Sequence, residues 1–364
     1  MANFHGKEYS KQELLSYIGD PGQLAGARPS VLCDGKSEGV KSVEVNTGGG
    51  LYFTILPGRG MDIPYASYKG KALSFSTGTG VTSPAYYEEP GFGWLRSFFA
   101  GLLTTCGITN AGAPGEDQNQ AFGLHGRVSN AGAEDTCIRQ CWEGDEYFIS
   151  VEGTMREVSA MGENMRLRRS IRTSLGARSF RLKDDVENCG FESQPLMMLY
   201  HFNFGFPLLS PQSRILAPVL KTEGRDEQAR KDKGVEEALV FSPPVPGYRE
   251  KVFLHTLGGK SKTFIALVNP DTGDGTPLGI ILRFNKSELP FLTEWKMPRK
   301  GFYALGLEPG TVSPLGRGVL RHKGELPLLE AQSTYSITID FAVIESQGEI
   351  RDLEKEAESL NQQG

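Results

Sequence analysis

Along most of the chain, apolar and polar residues alternate in short runs that turn residues interrupt. Residues 40–46 (VKSVEVN) include such an alternation. Residues 51–56 (LYFTIL) form a β-rich run bounded by Gly50 and by Pro57-Gly58. Similar runs recur at 147–151, 165–175, 180–186, 197–204, 264–268, 279–284, 291–296 and 335–344. Strands do not alternate with helical segments of roughly 10–15 residues, so a parallel, doubly wound sheet is not expected. The pattern predicts a mostly antiparallel β protein with one large core.

Helical signals stand at the two ends. Ser10 is a good N-cap, Glu13 follows three residues on, and Leu14, Leu15 and Ile18 make an apolar side before Gly19-Asp20-Pro21-Gly22 stops the helix. In the tail, Ile350, Leu353, Ala357 and Leu360 recur at helical spacing. The expected organisation is a helical extension over 1–23, a β domain over 24–345 and a terminal helix over 346–364. Residues 221–237 (KTEGRDEQARKDKGVEE) are dense in charge and read as an exposed excursion or short helix. No repeat at solenoid or propeller periods is present.

Composition narrows the function classes. The 45 Gly and 21 Pro in 364 residues supply the turns that many short strands need, and 38% hydrophobic residues can build a core without disulfides or a metal. A net charge of −5 lacks the basic footprint of nonspecific nucleic-acid binding and gives no sign of attraction to an anionic membrane. Two long uncharged stretches, 97–115 and 193–213, are broken by Gly, Thr, Asn and Pro and read as buried segments rather than spans. The opening MANFHGKEYSKQELL has no apolar signal-peptide core. Five widely spaced cysteines without a C-x-x-C argue for reduced thiols, so a cytoplasmic location is expected.

Chemistry has few places to reside. His201 lies in Leu199-Tyr200-His201-Phe202-Asn203-Phe204-Gly205-Phe206. In a strand, His201, Asn203 and Gly205 share one face, and Tyr200, Phe202, Phe204 and Phe206 share the other. The aromatic face suits a core, and the polar face needs partners or a cleft. His201 is therefore either a satisfied structural histidine or a functional one. Glu308 follows the apolar run 302–305 and precedes Pro309-Gly310. It reads as an exposed turn residue or as a carboxylate with a raised pKa, fit for base chemistry. His125 sits in Gly123-Leu124-His125-Gly126-Arg127. Arg59, between Gly58 and Gly60, faces a ligand or pairs with Asp62 across a turn. Arg166, Arg168, Arg169 and Arg172 read as a solvated strand face, with phosphate or sulfonate recognition as the alternative.

The GLHG at 123–126, the H-x-N at 201–203 and Trp295 followed by Leu307-Glu308-Pro309 resemble the galactose mutarotase (aldose 1-epimerase) superfamily, in that family's order. With PGRGMDI and LLTTCGITNAG, the chain is most similar to a bacterial aldose 1-epimerase-like branch of unknown function, over roughly residues 24–345. The resemblance implies a large antiparallel β-supersandwich that binds a small-molecule carbohydrate in a concave cleft. It implies Glu308 as base, His201 as acid and His125 holding the ring oxygen or neighbouring hydroxyls. Asn203 and Trp295 then bind a hydroxyl and an apolar sugar face. The family's arginine motif and its substrate-orienting aspartate have no counterpart, which leaves Arg59 or Arg127, with Asp62, as substrate-binding candidates.

Such chemistry needs no cofactor and no metal. Two other readings use the same residues. In one, a metal-dependent sugar isomerase or lyase draws its ligands from His125, His201 and Glu308, with Asp62. In the other, a non-catalytic carbohydrate-binding protein keeps the cleft and uses Glu308 only as an acceptor. The sequence does not specify the oligomeric state.

Overall fold

The computed structural model describes residues 2–4 and 6–362. Residues 1 and 5 of the N-terminal extension and residues 363–364 of the expected tail helix lie outside the described residues. Two antiparallel sheets make the body. The larger has eleven strands and runs, in spatial order, Val219–Gly224, Lys251–Leu257, Phe291–Arg299, Phe302–Gly310, Leu199–Phe204, Leu103–Cys106, Asp62–Tyr68, Leu51–Leu56, Lys41–Asn46 and Gly26–Val31. Its eleventh strand, Lys71–Ala72, pairs with Asp62–Tyr68. The eight-stranded sheet runs Glu134–Glu143, Glu146–Val158, Asn164–Ser174, Ser179–Asn188, Thr334–Ile344, Leu278–Asn285, Lys262–Asn269 and Arg214–Leu216. This is the expected antiparallel β-supersandwich.

The main core lies between the sheets. Tyr200, Phe202 and Phe204 from the larger sheet share it with Leu167, Leu182, Ile339 and Phe341 from the smaller. The alternation expected around His201 therefore holds. The even-numbered side chains point into the sandwich, and His201 and Asn203 point away from it. The strand ends at Phe204, so Phe206 falls beyond it and is exposed. The outward face is itself covered by the excursion between Lys71–Ala72 and Glu134–Glu143. Trp94, Phe98 and Ala111 of that excursion pack on Met197, Leu199 and Val312 in a second apolar cluster. Both faces of this strand are therefore buried, which is why its sequence is nearly continuous in apolar residues.

The ends follow their local signals. Ser10 caps a helix over Lys11–Leu15 with the capping box closed by Glu13, but the helix stops before Ile18. Ser346 and Glu349 close a second capping box on Gln347–Asn361. Ile350, Leu353 and Ala357 of that helix pack on Phe264, Ala266, Val268 and Ile281, on the outer face of the eight-stranded sheet.

The charged 221–237 segment carries the expected short helix, Glu227–Arg230, whose Ala229 packs with Ala238 and Val235 on Phe253. One expectation changes. Among the four arginines, Arg169 is fully buried. It forms a two-pronged pair with Asp184 at 2.7 and 2.9 Å and reaches Asp62 at 3.4 Å. Arg166 pairs with Glu187, as expected of a strand's outer face. Strict alternation separates them: Arg169 shares the face of Met165, Leu167 and Ile171, whereas Arg166, Arg168 and Arg172 fall on the opposite one.

Candidate active site

Four adjacent strands of the larger sheet carry the floor of a cavity of about 380 Å³ on the face turned away from the sandwich. His201 comes from Leu199–Phe204, Glu308 from Phe302–Gly310, and Thr293 and Trp295 from Phe291–Arg299. Val252 and, just beyond the strand edge, Glu250 and Arg225 continue it. Register fixes the neighbours. The pairs Leu199↔Gly310 and Phe202↔Leu307 bracket His201 and Glu308, and Thr293 lies directly opposite Glu308. Glu308 is not in a turn: the strand continues through Pro309 and Gly310, and its carboxyl is buried.

The central contact joins Glu308 Oε1 to His201 Nε2 at 3.1 Å. Burial, with the nearby Glu250 charge adding to it, pushes the Glu308 pKa up to about 8, against a small opposing pull from Arg225. Burial and the neighbouring His125 hold His201 well below its usual value. The pair therefore carries one proton at neutral pH, residing mainly on the carboxyl. Gly306, two residues before Glu308, makes room for the pair. A Cβ there would stand 2.8 Å from Glu308 Oε1, 2.9 Å from His201 Cε1 and 3.1 Å from Trp295 Cβ.

His125 reaches the same cavity from the covering excursion. Its φ is 59°, a left-handed conformation that costs a non-glycine residue about 1–2 kcal/mol. The Gly107 N–H donates to its carbonyl and its own N–H donates to Gly112 O, which hold that backbone in place. Gly126 is required beside it, because a Cβ would meet Asn110 O at 2.2 Å. The Gly112 N–H also donates, at 3.4 Å, to His125 Nδ1. This leaves the ring proton on Nε2. Burial, and more weakly Arg225, depress the His125 pKa to about 4, so the ring is a neutral donor. The His125 and His201 rings meet edge to face with centroids 5.8 Å apart. Trp94, Phe98 and Trp295 surround them as an aromatic wall.

The other sequence candidates lie elsewhere. Arg59 does not line the cavity: its guanidinium donates to Ser129 O, Thr82 O and Ser97 O, and so ties together the segments that carry the wall. Burial lowers its pKa to about 10. Arg127 pairs with Glu89 and Glu163. Asp62 accepts from the Thr105 N–H and hydroxyl and faces Arg169 between the sheets, where burial raises its pKa to about 7 against the pull of Arg169. Asn203 is fully buried behind His201 and does not line the cavity.

The guanidinium that does reach the cavity is Arg225, from the charged segment. It contacts Asp226 at 2.9 Å and Glu250 at 3.3 Å, and Glu250 accepts from the Trp295 indole N–H at 2.8 Å. Composition hid this residue, since a run of charges reads as solvated surface. Thr293 and Gly306 were also missed. Gly306 had a usable signal: it lies two residues from Glu308 and so on the same strand face. The Thr293 hydroxyl is buried against the cavity without a hydrogen-bond partner. Among the described residues, no group of three or more His, Cys, Asp or Glu side chains is arranged to hold a metal ion. No helix among them is long and apolar enough to cross a membrane.

Comparison with known proteins agrees with this architecture. A Klebsiella pneumoniae protein described as a candidate aldose 1-epimerase superposes with a TM-score of 0.86 at 25% identity, over 92% of this chain and 87% of its own. A galactose mutarotase-like protein of Clostridium acetobutylicum gives 0.61 at 15% identity, over 89% of this chain and all of its own. The galactose 1-epimerase of Lactobacillus acidophilus gives 0.58 at 10% identity, with the same coverages. The last two share the fold alone. No curated protein sequence matches the chain. Residues 37–343, the greater part of the chain, match one family model, and the protein belongs to that family, the domain of unknown function DUF4432, with a galactose mutarotase-like fold.

Proposed function

We propose that the protein is an aldose 1-epimerase-like isomerase that interconverts the anomers of a sugar or sugar derivative by acid–base ring opening. The observation that carries this reading is the buried Glu308–His201 contact, at 3.1 Å, in an aromatic-walled cavity that also receives the His125 ring. Glu308 removes the proton from the anomeric hydroxyl. His201 Nε2 delivers a proton to the ring oxygen as the bond from that oxygen to C1 breaks and C1 becomes a carbonyl. Rotation about C1–C2 and the reverse transfers close the other anomer. His125 Nε2–H, neutral at working pH, donates a hydrogen bond to the ring oxygen or an adjacent hydroxyl. Trp295 offers an apolar face for stacking.

The proton count fits. The reaction needs an ionised carboxylate beside a protonated imidazole, which has the same number of protons as the resting pair of neutral acid and neutral imidazole. Transfer across one hydrogen bond interconverts the two. The rate is then level through neutral pH and falls as pH rises through about 8, where the pair loses that proton. The test is a sugar-library screen by NMR for accelerated anomer exchange, with Glu308→Gln as the control. Loss of exchange with retained sugar binding is expected. Full activity of the variant on the true substrate removes Glu308 from the role of base.

A further inference from the structure

Two polar atoms beside His201 have no hydrogen-bond partner although they are buried: His201 Nδ1 and Asn203 Oδ1. They lie two residues apart on one face of the Leu199–Phe204 strand. The Asn203 amide cannot be turned around. Its Nδ2 donates to Ala100 O at 3.0 Å and to His201 O at 2.7 Å, which fixes Oδ1 as the remaining atom of the group. The orphaned acceptor and the orphaned ring nitrogen belong to residues that already meet, since Asn203 Nδ2 reaches the His201 carbonyl, and each lacks the partner that the other could supply. Leaving both unmet is costly in a buried setting. Only one assignment of the imidazole proton meets both, namely Nδ1–H facing Oδ1.

From this placement we infer that Asn203 is a positioning residue that selects the Nδ1–H form of His201, so that Nε2 is the nitrogen that exchanges a proton with Glu308. With the proton on Nε2 instead, that nitrogen could not accept the Glu308 proton across the 3.1 Å contact, and Nδ1 would present its lone pair towards an amide oxygen. Asn203 thus acts through the ring and never touches the sugar. A hydrogen bond between the two would also stabilise the imidazolium that forms during proton transfer, as an amide oxygen accepts more strongly from a charged N–H. Asn203 also pulls the His201 pKa upward, against burial. The role of Nε2 in turnover rests on the proposed ring-opening reaction; the tautomer itself does not.

The experiment reads the tautomer directly and needs no substrate. In full-length protein labelled with ¹⁵N-histidine, His201 is expected to show a protonated Nδ1 and an unprotonated, pyridine-like Nε2. Asn203→Leu, close in size and without an acceptor, is expected to shift the ratio roughly tenfold toward Nε2–H. Asn203→Asp keeps the acceptor while losing both N–H donors, and is expected to retain Nδ1–H. With a converted sugar in hand, kcat falls about tenfold in Asn203→Leu with KM little changed, and Asn203→Asp restores part of it. A wild-type His201 protonated at Nε2 overturns the inference even if neither variant folds. So does an Asn203→Leu spectrum identical to wild type. If the tautomer is as expected and no sugar is turned over, the proposed reaction fails and the positioning role stands.

Discussion

On the inner side of the Leu199–Phe204 strand, Tyr200 donates to Asp184 at 2.7 Å, and Arg169 neutralises Asp184 and faces Asp62. On the outer side, one residue along, His201 meets Glu308, and no Lys or Arg among the described residues pairs with that carboxyl. Both clusters are buried in the same sheet and differ in compensation. Inside, a guanidinium pairs with Asp184 through two hydrogen bonds and faces a second carboxyl, Asp62, whose pKa burial raises to about 7 against that pull. Outside, the carboxyl keeps its proton instead, with a pKa near 8. A compensated cluster serves to join two sheets. An uncompensated one stores a labile proton at neutral pH, which is what a group moving protons needs.

The sharpest break in that comparison is Arg169→Met. It strands Asp184 and Asp62 without their cation and is expected to lower unfolding stability by about 3–5 kcal/mol, read by denaturant titration. Glu308→Gln works in the opposite sense. Unfolded Glu308 ionises near 4.5 and folded Glu308 near 8, so between those values the folded state holds the extra proton and the wild type loses stability as pH rises. The variant lacks this slope and should exceed wild type at pH 8 and above by on the order of a few kcal/mol. Melting curves across pH check it, and parallel slopes would place Glu308 in a wetter setting than its burial suggests. Gly306→Ala sets a methyl against the pair and Trp295, with an expected cost of roughly 1–3 kcal/mol in stability and a loss of turnover larger than the loss of sugar affinity. Thr293→Val is the mildest. It removes an unpaired buried hydroxyl, so stability stays level or rises by up to about 1 kcal/mol, while sugar affinity measured by calorimetry drops several-fold.

The sequence revealed what periodicity and local chemistry encode. Alternation placed Tyr200 and His201 on opposite faces, Ser10–Glu13 announced the first helix, and the spacing of Ile350, Leu353 and Ala357 announced the last. The motifs around His125, His201 and Glu308 brought together residues that the fold joins across 183 positions of chain, from 125 to 308. Arg169 was misread because the four arginines were taken as one face and its partners Asp184 and Asp62 are distant in sequence, although its phase with Met165, Leu167 and Ile171 marks the dry side. Arg59 and Arg225 exchanged expectations for a related reason. The glycines flanking Arg59 suggested access to a ligand, whereas carbonyls of three segments surround it. Arg225 sits among charges that suggested solvent, yet its backbone N–H bonds to Val252 O beside the sheet edge and carries the side chain to the cavity.

The cavity's floor and rim have different mechanical origins. His201, Glu308, Thr293 and Trp295 stand on strands hydrogen-bonded on both sides within a wide sheet. Phe92, Leu95, Arg225, Glu250 and Leu315 stand on connecting segments. Exchange of a connection leaves the ladder of the sheet intact. Substitutions in those segments therefore reshape the cavity's opening without loosening the groups beneath, so the rim is free to vary over a constant floor.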